Sequence, residues 1–275
     1  MQDHLKNKFR DKWEKRKRRR RRRRHPRFRR GIFLLPNLFT TGSFFAGFYA
    51  IIAAIQGDYW WASLAILIAI VLDGLDGAVA RITNTSSPFG LQYDSLCDLV
   101  AFGIAPAILM YKWALAPFGR IGWLAAFIFA ACSALRLARF NVFTQTAGAG
   151  ADFRGLPVPA AAGVLASWVF LVEDFGIQAW VPLMITVAFA YVLAFLMVST
   201  IRYKSFKNFD GRLRRPFRVL VGTVLALFVA AAIPQVVAFL VMVGYTVSGP
   251  LFAFSRLGRP KDSPSHPEPA ASEAP

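Results

Sequence analysis

Four aspartates carry the chemistry this sequence can be read for: Asp73, Asp76, Asp94 and Asp98. The chain has 15 Asp and Glu in 275 residues, six of them near the two ends, and four of the other nine fall within this one stretch of 26 residues. Asp73 and Asp76 are spaced i, i+3, and Asp94 and Asp98 are spaced i, i+4. Either spacing puts a pair on one face of a helix. The connection between the pairs is short, so two antiparallel helices would bring all four carboxylates together at one depth. Four like charges at close range repel, and the only nearby cation in the sequence is Arg81. A bound divalent metal relieves that repulsion. Oxygen donors without His or Cys partners favour Mg²⁺, Mn²⁺ or Ca²⁺ over Zn²⁺. The competing reading is a set of helix-end acids facing water. Gly74, Gly77 and Gly90 interleave with the acids, and Ala78 and Ala80 keep the helix slim. Such residues serve either ordinary helix packing or the close approach of a bulky ligand. The three histidines, His4, His25 and His266, all lie near the ends, which removes histidine catalysis from the apolar part of the chain.

The elements that must hold these acids are apolar helices. Eight runs reach roughly the 20 residues that cross a bilayer, at about 33–55, 60–80, 91–111, 121–142, 157–174, 179–200, 217–233 and 235–254. They are continuous rather than alternating, which favours helices over barrel strands. The fold class expected is therefore all-α, a polytopic membrane bundle of about eight helices. Intramembrane acids are functional candidates by default. Lys and Arg alternate between successive connections in the sense of the positive-inside rule. Arg81, the group Arg136, Arg139 and Arg154, and the basic stretch 202–218 fall on the side of the N-terminal tail. The connections at 56–58, 173–174 and 234–235 carry no base. Only 112–120, expected as a loop with Lys112 and Arg120, fits poorly. Both termini and the aspartates are thus expected on the cytoplasmic face of the cell's inner membrane.

Composition agrees. The chain is 56% hydrophobic and 17% charged, yet carries a formal charge of +18. Residues 1–31 hold 17 Lys/Arg against 3 Asp/Glu, a net of +14, so the other 244 residues carry only +4. Such hydrophobicity excludes disorder of the whole chain. Two cysteines, Cys97 and Cys132, exclude a disulfide framework and read as small buried thiols. Three regions are expected: a polybasic cytoplasmic tail at 1–31, a transmembrane catalytic domain at 32–255 and a disordered tail at 256–275. The unbroken basic run at 15–24 is too long and too basic for the start of a signal peptide. It would anchor topology or attract anionic membrane lipids, each base contributing about 1 kcal/mol near the surface. Nucleic-acid contact is the competing reading.

Read together, 73–98 spell D-x2-D-G-x2-A-R-x8-G-x3-D-x3-D, with Gly77, Ala80, Arg81 and Gly90 at the fixed positions between the acids. This resembles the complete signature of the CDP-alcohol phosphotransferases. The resemblance implies a two-metal centre of Mg²⁺ or Mn²⁺ on Asp73, Asp76 and Asp94, with Asp98 close to it and acting as general base for an acceptor hydroxyl. It implies that Gly77 makes room for the nucleotide and that Arg81 contacts phosphate or orients an aspartate. Asn37 and Thr40 would touch the nucleotide, and two chains would pair through their membrane helices as a homodimer.

The signature does not choose the acceptor. The stretches 35–40, 94–107, 135–142, 155–160 and 199–207 resemble the integral-membrane phosphatidylserine synthases of bacteria. That resemblance covers roughly 33–255 and implies transfer of a phosphatidyl group from CDP-diacylglycerol to L-serine with release of CMP. Serine's carboxylate calls for positive donors. Arg136 and Arg139, with Asn141 and Arg202, are the candidates to read the acceptor or the phosphates. They also fit as ordinary snorkelling arginines. Glycerol 3-phosphate, an inositol phosphate or choline as acceptor, an ion or proton transporter, and a non-catalytic scaffold are the alternatives.

Overall fold

The first apolar run forms helix α1 (Leu34–Gln56), which stops at Gly57 with φ +91°, a left-handed position that glycine adopts without steric cost. The chain reverses there, and Asp58 leads directly into α2 (Tyr59–Thr83). The two helices bury a face of small residues, Ala50, Ala53 and Ala54 against Ala62, Ala65 and Ala69. Small side chains let the backbones approach closely. The Ser43 hydroxyl donates to the Ala69 carbonyl at 3.1 Å, which fixes the register. A computed structural model describes residues 34–83, 87–147, 155–176, 180–201 and 232–257. The polybasic tail, Arg202, the first 15 residues of the expected span 217–233, and residues 258–275 lie outside the described residues.

Helix α3 (Pro88–Asp98) opens with a cap legible in the sequence: Ser87 accepts the Gly90 N–H at 2.9 Å, and Pro88 occupies the first helical position. The run then continues without a loop. It passes through a π-helical segment (Leu99–Ile104), α4 (Ala105–Met110), a second π-helical segment (Tyr111–Leu115) and a 3-10 turn (Ala116–Phe118). The expected loop at 112–120 is thus helical as far as Phe118. The reversal is made at Gly119, with φ +54°, before α5 (Gly119–Ala147). Tyr111, Trp113, Ala114 and Leu115 are packed in the core, so burial holds this stretch in helix despite Lys112.

Pairs of contacts show that α5 runs back along the α3–α4 run. Gly103 lies against Ser133, and Ser95 is hydrogen-bonded to Asn141. Both pairs are symmetric about residue 118. α6 (Val158–Asp174) follows, with twelve of its seventeen residues buried, which makes it the central post of the bundle. α7 (Trp180–Val198) and α8 (Pro234–Leu257) flank it. Trp168 of α6 donates to Thr186 of α7 at 2.9 Å and packs against Phe239 of α8.

Among the described residues every regular element is helical. Among the described residues four stretches are long and apolar enough to cross a membrane: Asn37–Gln56, Tyr59–Val79, Phe89–Phe143 and Pro234–Leu251. The third, at 55 residues, is far longer than one crossing requires, and the reversal at Gly119 divides it. Large apolar side chains such as Phe45, Phe48, Ile52 and Ile55 of α1 are exposed on the isolated chain. In water such a stripe is a liability; in a bilayer it is the lipid-facing surface.

Candidate active site

Asp73 and Asp76 sit on α2, one turn apart and near its C-terminal end. Asp94 and Asp98 sit on α3, which begins only five residues after α2 ends. Carboxylate oxygens of Asp73, Asp76 and Asp94 lie within 4.8 Å of one another. Asp98 joins them from the next turn of α3, in close electrostatic contact with Asp73. Asp76 is buried, at 7% exposure. It is held in place by the Thr40 hydroxyl of α1, which donates to Asp76 Oδ2 at 2.6 Å. That short contact is a charge-assisted bond between two helices. Asp94 Oδ1 is buried and has no hydrogen-bond partner. Carboxylates this close need a proton or a cation between them. An unpartnered buried carboxylate oxygen beside two others is the donor set that a hard divalent cation takes. The residues therefore fit a divalent metal.

Next to the acids the helix surface is open. A Cβ built on Gly74 or Gly77 would meet nothing within 4 Å, so both present bare backbone beside the carboxylates. Gly90 has a different task. A Cβ there would stand 3.1 Å from Ser87 Oγ and 3.6 Å from Asn37 Oδ1, so the glycine admits both the cap and the Asn37 side chain of α1. Thr41 bonds the Asn37 carbonyl at 2.7 Å and meets the Tyr93 hydroxyl at 3.0 Å, tying α1 to α3 next to the site. Arg81 lies in the last turns of α2; its side chain is outside what the structure describes.

The remaining sequence candidates separate. Arg136 of α5 lies within electrostatic range of Asp98 and of the Tyr245 hydroxyl. Its Nε is buried without a hydrogen-bond partner. Arg139 instead lies over the Phe143 ring, 5.7 Å from its centroid. Asn141 donates to the Ser95 hydroxyl at 2.9 Å, locking α5 to the turn of α3 that carries Asp94 and Asp98. Arg202 is outside the described residues. Cys97 is buried between two of the aspartates, and Cys132 is half-buried in α5; both are free thiols. Sequence reasoning overlooked Tyr245, Ser87 and Ser95. Ser87 was findable from its Ser-Pro cap; Tyr245 is one tyrosine in an apolar helix, with no local signal.

The family model described as CDP-alcohol phosphatidyltransferase matches residues 33–198, more than half of the chain and all four aspartates. The chain belongs to the CDP-alcohol phosphatidyltransferase family. It is similar to the CDP-diacylglycerol–serine O-phosphatidyltransferase of Helicobacter pylori, with 40% identity over 190 residues, 69% of this chain and 80% of that protein. The Mycobacterium bovis protein of the same description is 35% identical over 228 residues, 80% of this chain and 79% of the relative. An archaetidylserine synthase of Methanothermobacter thermautotrophicus is 37% identical over 171 residues, covering 62% of this chain and 69% of the relative. In this family member α1 to α7 lie almost wholly within the matched region, whereas α8 lies beyond it.

Proposed function

We infer that this chain transfers the phosphatidyl group of CDP-diacylglycerol to L-serine, producing phosphatidylserine and CMP with the help of a divalent metal. The observation that carries the reading is the convergence of Asp73, Asp76, Asp94 and Asp98, with one buried carboxylate oxygen unpartnered, inside a chain of this family. Relatives described as serine O-phosphatidyltransferases support serine as the acceptor over glycerol 3-phosphate, an inositol phosphate or choline.

Asp73, Asp76 and Asp94, with Asp98 beside them, would hold the metal, Mg²⁺ or Mn²⁺, as a pair of ions. When bound, the metal neutralises the diphosphate and the charge that develops on departing CMP. Everything else falls to the chain's own groups. The Thr40 hydroxyl fixes the Asp76 carboxylate. The bare backbone at Gly74 and Gly77 gives the CDP moiety room to lie against α2; Asn37 would stand at its edge, and Arg81 would contact phosphate. Asp98 takes the proton of the serine hydroxyl. The serine oxygen then bonds to the phosphorus that carries diacylglycerol, and the bond from that phosphorus to CMP breaks. Arg136, set beside Asp98, meets the serine carboxylate with a charge-assisted bond.

We further propose eight membrane-spanning helices, with 217–233 as the seventh and the aspartates on the cytoplasmic side of the inner membrane. Residues 1–31 would bind anionic lipids there, and two chains would form a homodimer through their membrane helices.

The test is CMP release by the purified full chain, given CDP-diacylglycerol, each alcohol in turn, and Mg²⁺, Mn²⁺ or a chelator. Release is expected with serine and metal, abolished by the chelator and reduced about 10²–10⁴-fold in Asp98→Asn, the contribution of a positioned base. Release with another alcohol but not serine would overturn the acceptor assignment. No release with any alcohol would overturn the enzyme.

A further inference from the structure

We infer that Tyr245, on the helix beyond the family-model match, completes the acceptor subsite by standing with Arg136 around the serine carboxylate. The inference deepens the proposed function and rests on it. Three independent features of the fold bring Tyr245 there. First, α8 and α2 start at the same end of the bundle. Asp174, at the end of α6, accepts from Trp60 Nε1 at 3.4 Å and also from the Gln235 amide. Second, the two helices stay in step. Met242 of α8 and Ile70 of α2 both press on Gly163 of α6, their Sδ and Cδ1 atoms 2.7 and 3.2 Å from where a Cβ there would stand. Three residues further along, on the same faces, come Tyr245 and Asp73. Third, α5 comes alongside at this depth. The symmetry of its contacts with α3 places Arg136 level with Val100, half a turn from Asp98.

The chemistry of the acceptor explains why such a group is needed. In serine only a few bonds separate the hydroxyl from the carboxylate. Whatever grips the carboxylate must therefore stand beside the base. Asp73, Asp76 and Asp94 stand around Asp98, and such carboxyls repel an anionic acceptor. Arg136 brings the positive charge, with its Nε buried and unpartnered. A phenol hydroxyl from α8 adds a neutral donor without another charge to desolvate. Arg139 and Asn141 are engaged elsewhere, over Phe143 and against Ser95. Tyr245 is thus a specificity-determining residue contributed from outside the signature.

The experiment is steady-state CMP release by full-length Tyr245→Phe, with serine and CDP-diacylglycerol varied separately. Phenylalanine keeps the ring and its packing and removes only the donor. The serine KM is expected to rise about tenfold, the loss of one hydrogen bond to a charged group. The CDP-diacylglycerol KM and kcat should stay within twofold. As a second measurement, the preference for L-serine over L-serinamide, which lacks the carboxylate, should shrink by the same factor. An unchanged serine KM, or equal losses for both substrates as a mere packing role would give, would overturn the assignment of Tyr245 and leave serine transfer standing. Wild-type protein that releases no CMP with serine would overturn the serine reading and this subsite with it.

Discussion

Gly47→Ala should disable the site from one helix away. Gly47 lies on α1, where the helix crosses the π-helical segment that begins directly after Asp98. A Cβ on Gly47 would stand 2.5 Å from Ala101 Cα and 2.7 Å from Ala101 Cβ. Carbon atoms in contact sit about 3.5–4.0 Å apart, so one methyl requires a shift of about 1 Å. Ala101 and Phe102 are fully buried. Retreat toward α5 is limited, because Gly103 already packs closely enough on Ser133 that a Cβ there would stand 3.1 Å from Ser133 Cβ. The displacement must pass along α3 to Asp98, or along α1 to Thr40, two turns before Gly47 on the same face. Either route misplaces a carboxyl of the centre, and an error of 1 Å costs about 10²-fold in rate. Overpacking costs about 1–3 kcal/mol of stability, of which the better helix propensity of alanine returns up to about 1 kcal/mol. The assay is kcat for CMP release at saturating substrates, with melting temperature followed in detergent. Gly244→Ala is the control, since a Cβ there meets nothing within 4 Å, and it should be neutral or slightly stabilising. A Gly47→Ala protein with kcat within twofold of wild type and an unchanged melting temperature would refute the reasoning.

Two further outcomes follow from single contacts. Thr40→Val removes the 2.6 Å donor to buried Asp76 while keeping the shape; kcat should fall about tenfold and the metal concentration for half-activity should rise, both read from CMP release. At the far end of the bundle, Trp113 Nε1 donates to Glu173 at 2.6 Å. Trp113→Phe should cost about 1 kcal/mol in thermal stability and leave kcat unchanged, because α2 spans about 20 Å between Trp60 at that end and Asp73.

Much of the aspartate cluster was legible because its geometry is local. Spacings of three and four residues define one helix face, and a short link between α2 and α3 forces the two acid pairs to meet. The helical character of the long apolar runs was legible too, since an unpaired backbone is not tolerated in lipid. The boundaries were less so. Lys112 and Arg120 read as a loop, yet core packing of Tyr111, Trp113 and Leu115 carries the helix on to a turn at Gly119.

By itself, then, the sequence determined the helices, the four aspartates and the family signature, all of which depend on near neighbours along the chain. Only the tertiary structure decided which distant groups share the site. Arg136 and Arg139 look equivalent on paper. In the fold one lies within electrostatic range of Asp98 and the other covers Phe143, because α5 is pinned to α3 through Asn141 and to the π-helical segment after it through Ser133. Tyr245 reaches the same place from more than a hundred residues away. Its approach is set by how α8 packs across Gly163, and no spacing rule in the sequence encodes that contact.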